Sequence, residues 1–285
     1  MKRALLSLLL LIVFVPPEAD AAELVRLVRL KITAGDILSG AAYAEDYKLQ
    51  TGVDKEYLDA IGWLARGALL TGRHDLARDY VAELHRAIPK ETADLVVPFG
   101  AAIEVEGRLI AANDGRGAAL RYLDAALQRA EAPALRSRIR KNMNLLSLEG
   151  EVAPEIDSEV TLASRRGKPV LLYFFAEWCG DCKAQATSLG RIWEKYRARG
   201  LDIVAVTRLY GGEGEEQKVA KVWKEVYPAM QDVPVVINTD TMIRYGASAT
   251  PTFALVDRKG IVRLYTPTRL SEAAMAKAIE EVLGE

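Results

Sequence analysis

The chain has 285 residues, half of them apolar, with 38 Lys and Arg against 39 Asp and Glu and a formal charge of −1. That balance offers no electrostatic case for nucleic acid or an anionic membrane surface as a partner. The length exceeds one ordinary core, so two domains are expected behind an N-terminal leader.

Residues 1–21 read as a signal peptide. Lys2 and Arg3 precede an apolar run over residues 4–15, then come Pro16-Pro17, and Ala19-Asp20-Ala21 forms an A-x-A cleavage site before Ala22. The run falls short of the ~20 residues that span a bilayer, so no membrane contact beyond export is expected. An uncleaved anchor is the alternative. Export implies an oxidising compartment, a periplasm or its equivalent.

Residues 22–150 form the first expected domain, all-α, with apolar spacing of three and four. Leu64, Ala65, Ala68, Gly72, Ala77, Val81, Leu84 and Pro89 resemble the small and large apolar positions of a tetratricopeptide repeat, and Gly107, Ile110, Gly115, Ala119, Leu123 and Ala126 form a weaker second copy. Ala77 and Ala119 lie 42 residues apart, against ~34 for a standard repeat. Either the connection is longer or the repeats are degenerate. Stacked hairpins of this kind present a groove for a protein partner; the alternative is a packing domain that only carries its neighbour. Arg136, Arg138, Arg140 and Lys141 read as a solvated helix face. His74 and His85 have no cysteine near them in sequence and show no metal-ligand spacing, so no metal site is expected.

Helical periodicity stops at Glu149-Gly150-Glu151-Val152-Ala153-Pro154, which sets the second domain at residues 151–285. Strands are expected over 169–175, 201–207, 233–237, 252–257 and 261–265, and helices over 181–199, 215–227, 240–245 and 271–283. Parallel βαβ units followed by an antiparallel hairpin make an α/β sandwich.

The only two cysteines, Cys179 and Cys182, sit between the first strand and its helix. Unpaired N–H groups and the positive end of the macrodipole favour a thiolate at Cys179. Cys182, one turn on, shares that face and is placed to close a short disulfide once Cys179 has attacked a foreign one. As a permanent staple the pair would close too short a loop to stabilise much.

Gly167-Lys168-Pro169-Val170-Leu171-Leu172, the run Trp178-Cys179-Gly180-Asp181-Cys182-Lys183, and Tyr245-Gly246-Ala247-Ser248-Ala249-Thr250-Pro251-Thr252 resemble the thioredoxin-fold oxidoreductases of the TlpA/ResA type. The resemblance covers residues 153–285. It implies a thioredoxin-like fold, a cis Thr250-Pro251 bond opposite the cysteines, and a Thr250 backbone that pairs with substrate backbone. Two positions depart from the family. Tyr173 stands where thioredoxins proper place a buried Asp, and Gln185 stands where TlpA/ResA-type proteins usually have a Glu. Resolution needs the Cys182 proton to leave, and a nearby carboxylate is the usual relay, so a carboxylate at position 185 is expected to speed it. Asp181 and Glu177 are the remaining acids, with Glu177 read as solvated surface. Asp181 replaces the Pro of the thioredoxin dipeptide beside Gly180. Its charge disfavours the thiolate and draws the couple toward ~−270 mV rather than ~−120 mV. Trp178 reads as a substrate platform or as a half-buried aromatic of the fold. The acidic loop Gly211-Gly212-Glu213-Gly214-Glu215-Glu216 reads as a solvated cap of the next helix.

The sequence therefore describes an exported protein-disulfide reductase without cofactor. Cys179 and Cys182 are its catalytic pair; Trp178, Thr250 and Pro251 bind substrate; and Gly180, Asp181 and Gln185 modulate the pair. Its partners are protein disulfides, a thiol electron donor, and a protein on the helical domain. Two alternatives stand beside this reading: an adaptor whose thioredoxin domain is structural, and a Cu(I)-delivery protein using the thiols as ligands.

Overall fold

The computed structural model describes residues 22–211 and 214–284, and the expected signal peptide lies outside them. Residues 22–147 fold into seven α-helices: α1 (Ala22–Thr33), α2 (Ile37–Thr51), α3 (Lys55–Leu70), α4 (His74–Ala87), α5 (Val96–Asp114), α6 (Arg116–Arg129) and α7 (Pro133–Ser147). Local chemistry fixes several starts. Asp36 and Asp54 cap α2 and α3 by accepting the N–H groups of Ser39 and Tyr57, and Pro133 opens α7, where a missing N–H removes no helix bond.

Helices α3 and α4 form one hairpin about Gly72, and α5 and α6 form a second about Gly115, both glycines having positive φ. Leu64, Ala65, Ala68, Ala77 and Leu84 are buried in the first, and Ala119, Leu123 and Ala126 in the second. The 42-residue offset has a physical source. α5 runs 19 residues against 16 in α3, and a 3-10 turn at Ala93–Leu95 lengthens the link between hairpins.

The C-terminal part is a five-stranded sheet whose strands lie side by side in the order 235–237, 202–207, 170–174, 252–256 and 262–266, a thioredoxin-like α/β fold preceded by the all-α region. Its elements are β1 (Val170–Phe174), α8 (Gly180–Tyr196), β2 (Asp202–Thr207), α9 (Glu215–Val226), β3 (Val235–Ile237), α10 (Thr239–Arg244), β4 (Thr252–Val256), β5 (Val262–Thr266) and α11 (Glu272–Gly284). β1 pairs parallel with β2 and antiparallel with β4, and β2 pairs parallel with β3. Each expected strand is present; β3 begins late because Pro234 has no N–H to offer the ladder. Burial on both faces explains the unbroken apolar run of β1. Leu171, Tyr173 and Phe175 face α8, α9 and α11, while Leu172 and Phe174 face α10 and Leu148.

The expected solvated face of α7 is a correction. Lys141 and Arg66 both pair with the buried Glu104, at 3.1 and 3.3 Å. Arg138 donates to Val97 O, and Arg136 to Leu127 O and Ala130 O. α7 is packed against α5, α6 and α10, so Arg136, Arg138 and Lys141 meet partners on neighbouring segments, while Arg140 Nε is buried without a hydrogen-bond partner among the described residues. Beyond α7, residues 149–153 lie along β5: Gly150 N donates to Val262 O and Val262 N to Glu151 O.

Candidate active site

β1 ends at Phe174, and after the four intervening residues 175–178 the chain enters α8 with Cys179 as its N-cap. Cys179 is extended there, and its Sγ accepts the Cys182 N–H at 3.1 Å, the bond a capping Ser or Asp oxygen usually makes. On its other side Sγ donates to Thr250 O at 3.3 Å. The Thr250-Pro251 bond is cis, and Thr252 Oγ1 secures the approach to β4 by donating to Ala249 O. The fold thus brings Cys179, Cys182, Thr250 and Pro251 together from segments some 70 residues apart in sequence.

Both thiols are unbridged, with Cys179 5% exposed and Cys182 fully buried. Burial first, and then the hydrogen bond with Cys179, push the Cys182 thiol well above its usual range, so it keeps its proton at neutral pH. A negative charge on Cys179 would keep the Cys182 N–H and lie at the positive end of α8. The two sulfurs have unlike environments: the outer one caps the N-terminus of α8 beside the Thr250 carbonyl, and the inner one is buried and held as a neutral thiol.

The remaining site residues divide. Trp178 is 60% exposed rather than half-buried, and its ring meets Tyr210 edge-on, with centroids 5.3 Å apart. Tyr210 in turn carries the Arg208 guanidinium over its face at 4.6 Å. Gly180 opens α8 with free space where a side chain would stand, so packing does not demand glycine. The Asp181 side chain is 66% exposed and stands 3.8 Å from Arg269. Water and that cation both weaken its pull on the sulfurs.

Three other expectations change. Glu177 is not a solvated acid: one carboxylate oxygen is buried and has no hydrogen-bond partner among the described residues. In the acidic loop, Glu215 is buried and accepts the N–H groups of Tyr210 and Gly211, tying the loop instead of capping it from solvent; residues 212 and 213 lie outside the described residues. Gln185 turns to the segment before α11. Its Nε2 donates to Leu270 O at 2.9 Å and to Ser188 Oγ, and its Oε1 accepts Leu270 N–H at 3.1 Å. A Glu there would keep the acceptor and lose the donor, leaving Leu270 O unpaired against a buried charge. Gln185→Glu is therefore expected to destabilise the protein by about 1–3 kcal/mol in urea unfolding, without the faster resolution that sequence alone suggests. A stability equal to wild type would show that Gln185 does not clamp α8 to Leu270.

Sequence reasoning missed Tyr227, which follows α9. Its hydroxyl lies 2.8 Å from that of Tyr173, and both reach the Cys182 carbonyl, at 3.1 and 3.3 Å. A tyrosine at the end of an amphipathic helix gives no sign in sequence that it reaches the redox centre. Among the described residues no three His, Cys, Asp or Glu side chains converge as metal ligands, and no helix is long and apolar enough to cross a membrane.

A sheet with this strand order, a dithiol at the N-terminus of its first helix and a facing cis-proline loop define a thioredoxin-like redox protein. The Redoxin family model matches residues 131–282, over half of the chain, and the chain belongs to that family. It is similar to the thiol-disulfide oxidoreductase ResA of Bacillus subtilis, 30% identical over 129 residues that make up 42% of this chain and 68% of the relative. ResA of Bacillus cereus is 23% identical over 145 residues, 50% of this chain and 67% of that one. A thioredoxin-family thiol:disulfide interchange protein from Chlorobium tepidum is a structural neighbour at 21% identity and TM-score 0.39, covering 48% of this chain and 98% of its own. The relatives bear out the TlpA/ResA-type resemblance and a redox enzyme of the thiol-disulfide oxidoreductase class.

Proposed function

We propose that this chain is an exported protein-disulfide reductase in which Cys179 attacks a substrate disulfide and Cys182 resolves the product. The observation that carries the reading is the position of Cys179 Sγ between the Cys182 N–H and the Thr250 carbonyl. Thr250, beside the attacking sulfur, is the backbone against which a substrate strand pairs, and Trp178, exposed and next to Cys179 in the chain, adds a platform for the substrate. The buried, protonated Cys182 cannot attack first. A thiol donor returns the oxidised pair to the dithiol. Residues 1–21 act as the export signal, and 22–150 and 151–285 as two domains. The helical domain holds a protein partner, for which a cavity of about 390 Å³ beside Phe99, Ile103, Tyr122 and Leu135 gives room.

The test is Cys182→Ser expressed from the full chain. With the resolving sulfur gone, mixed disulfides through Cys179 are expected to accumulate with exported proteins, and reductant should release them. Deleting residues 23–150 from that variant should change which proteins are caught. No trapped protein, with Cys179 shown free by alkylation, would favour the adaptor reading.

A further inference from the structure

Beneath Cys182 three oxygens meet with too few protons for all their contacts. The Cys182 carbonyl belongs to the first turn of α8, where one of its two lone pairs serves the helix ladder. The hydroxyls of Tyr173 and Tyr227 stand 3.3 and 3.1 Å from that carbonyl and 2.8 Å from each other. Two phenolic protons thus serve three contacts, and the one open carbonyl lone pair takes only one of them. The other proton lies between the hydroxyls or is free to turn. Packing fixes both rings. Tyr173 is stacked on Phe175 and Phe253, with centroids 5.7 and 5.3 Å away, and Tyr227 on Trp223 at 4.5 Å. Neither phenol has appreciable access to water.

We infer that Tyr173 and Tyr227 are positioning residues for resolution: they hold the Cys182 main chain and turn one phenolic proton toward its sulfur as that sulfur becomes an anion. This rests on the reading of Cys179 as the attacking and Cys182 as the resolving thiol. In that step the Cys182 thiol gives up its proton and its sulfur attacks Cys179 Sγ of the mixed disulfide. The Cys179–Cys182 bond forms, the bond from Cys179 to the substrate sulfur breaks, and the proton ends on the departing substrate thiolate. The enzyme dithiol loses two electrons and the substrate disulfide gains them.

The groups around Cys182 leave this role to the phenols. From α8 itself come Cys179 and the solvent-facing Asp181, the latter beside Arg269. The loop after β1 brings the Ala176 main chain and Glu177, and the segment before β4 brings Thr250. Tyr173 comes from β1, Tyr227 from the end of α9, and Tyr210 from the loop after β2. Among the described residues no acid hydrogen-bonds to Cys182. Burial first, and then Tyr227 and Cys182, hold the Tyr173 hydroxyl far above its ordinary range, and burial does the same for Tyr227. The pair therefore stays neutral and donates hydrogen bonds; it does not act as a base.

An aromatic disulfide that releases a coloured thiolate separates the two halves of the exchange. Attack by Cys179 releases the first equivalent and resolution by Cys182 the second. In stopped flow, Tyr173→Phe and Tyr227→Phe should leave the first phase within about twofold, since neither hydroxyl touches Cys179. The second phase should fall roughly tenfold near neutral pH, the size of one hydrogen bond to a charged group, and its pH midpoint should move upward so that alkaline buffer restores the rate. A merely structural role would slow both phases or neither and would leave the midpoint in place. Should one of the two variants fail to fold, the other decides, with the ultraviolet thiolate absorbance of Cys182 in a Cys179→Ala background as the second readout. An unshifted midpoint by both measures overturns the inference. Absence of the first phase in wild type would instead overturn the dithiol reading on which it rests.

Discussion

Cys179→Ala is expected to reduce insulin disulfides no faster than dithiothreitol alone. The only other cysteine, Cys182, is fully buried and keeps its proton, so no second nucleophile reaches a protein substrate. The substitution also removes the N-cap acceptor of the Cys182 N–H, which costs about 1 kcal/mol. Lost activity therefore has two possible sources, lost chemistry and a loosened helix start. Cys179→Ser separates them, because a hydroxyl caps at least as well as a thiol and is a far poorer nucleophile at neutral pH. The Ser variant should unfold at the wild-type urea concentration and still show no turnover. Residual catalysis in either variant would place the reactive group elsewhere and end the dithiol reading.

What the sequence made legible is what short-range pattern encodes. The alternation of apolar runs with turn residues gave five strands in the right order, and the spacing of Cys179 and Cys182 at a helix entrance gave the reactive pair. The facing position of Thr250 followed from resemblance alone, since nothing in the residues around Pro251 states what lies opposite them. Contacts between remote segments were not legible. Tyr173 read as a missing acid because its partner Tyr227 lies 54 residues away and its target is a main-chain carbonyl. Gln185 read as a missing relay because its partner, the Leu270 backbone, offers no side-chain signal 85 residues on. The α7 charges read as solvated because helical periodicity tells which residues share a face and not what that face meets. Glu104, 37 residues before Lys141, decides it.

The tightest of these remote contacts predicts the largest effect on stability. Gly246 closes α10: its N–H donates to Ile243 O and that of Ala247 to Met242 O, the paired bonds of a helix end that needs a left-handed residue, and its φ is +61°. A Cβ at this position would stand 2.2 Å from Lys141 N and 2.4 Å from Lys141 Cα. Those are main-chain atoms in the middle of α7, so no side chain can swing aside; relief requires α7 and α10 to part. Gly246→Ala should therefore cost about 1–2 kcal/mol for the left-handed backbone and about 1–3 kcal/mol more for the overlap. The combined effect is a Tm lowered by roughly 5–15 °C. Gly260 supplies the control, with a φ of +85° and nothing within 4 Å of the added carbon, so Gly260→Ala should show the backbone part alone. Parting the helices also breaks the Asn144 bond to Arg244 O and frees the segment that leads to Thr250. Gly246→Ala should thus slow attack by Cys179 as well, while Gly260→Ala, on the far hairpin, should not. Equal melting temperatures for the two variants would mean that α7 does not sit on Gly246, and the helical region would then have no hold on the loop opposite the cysteines.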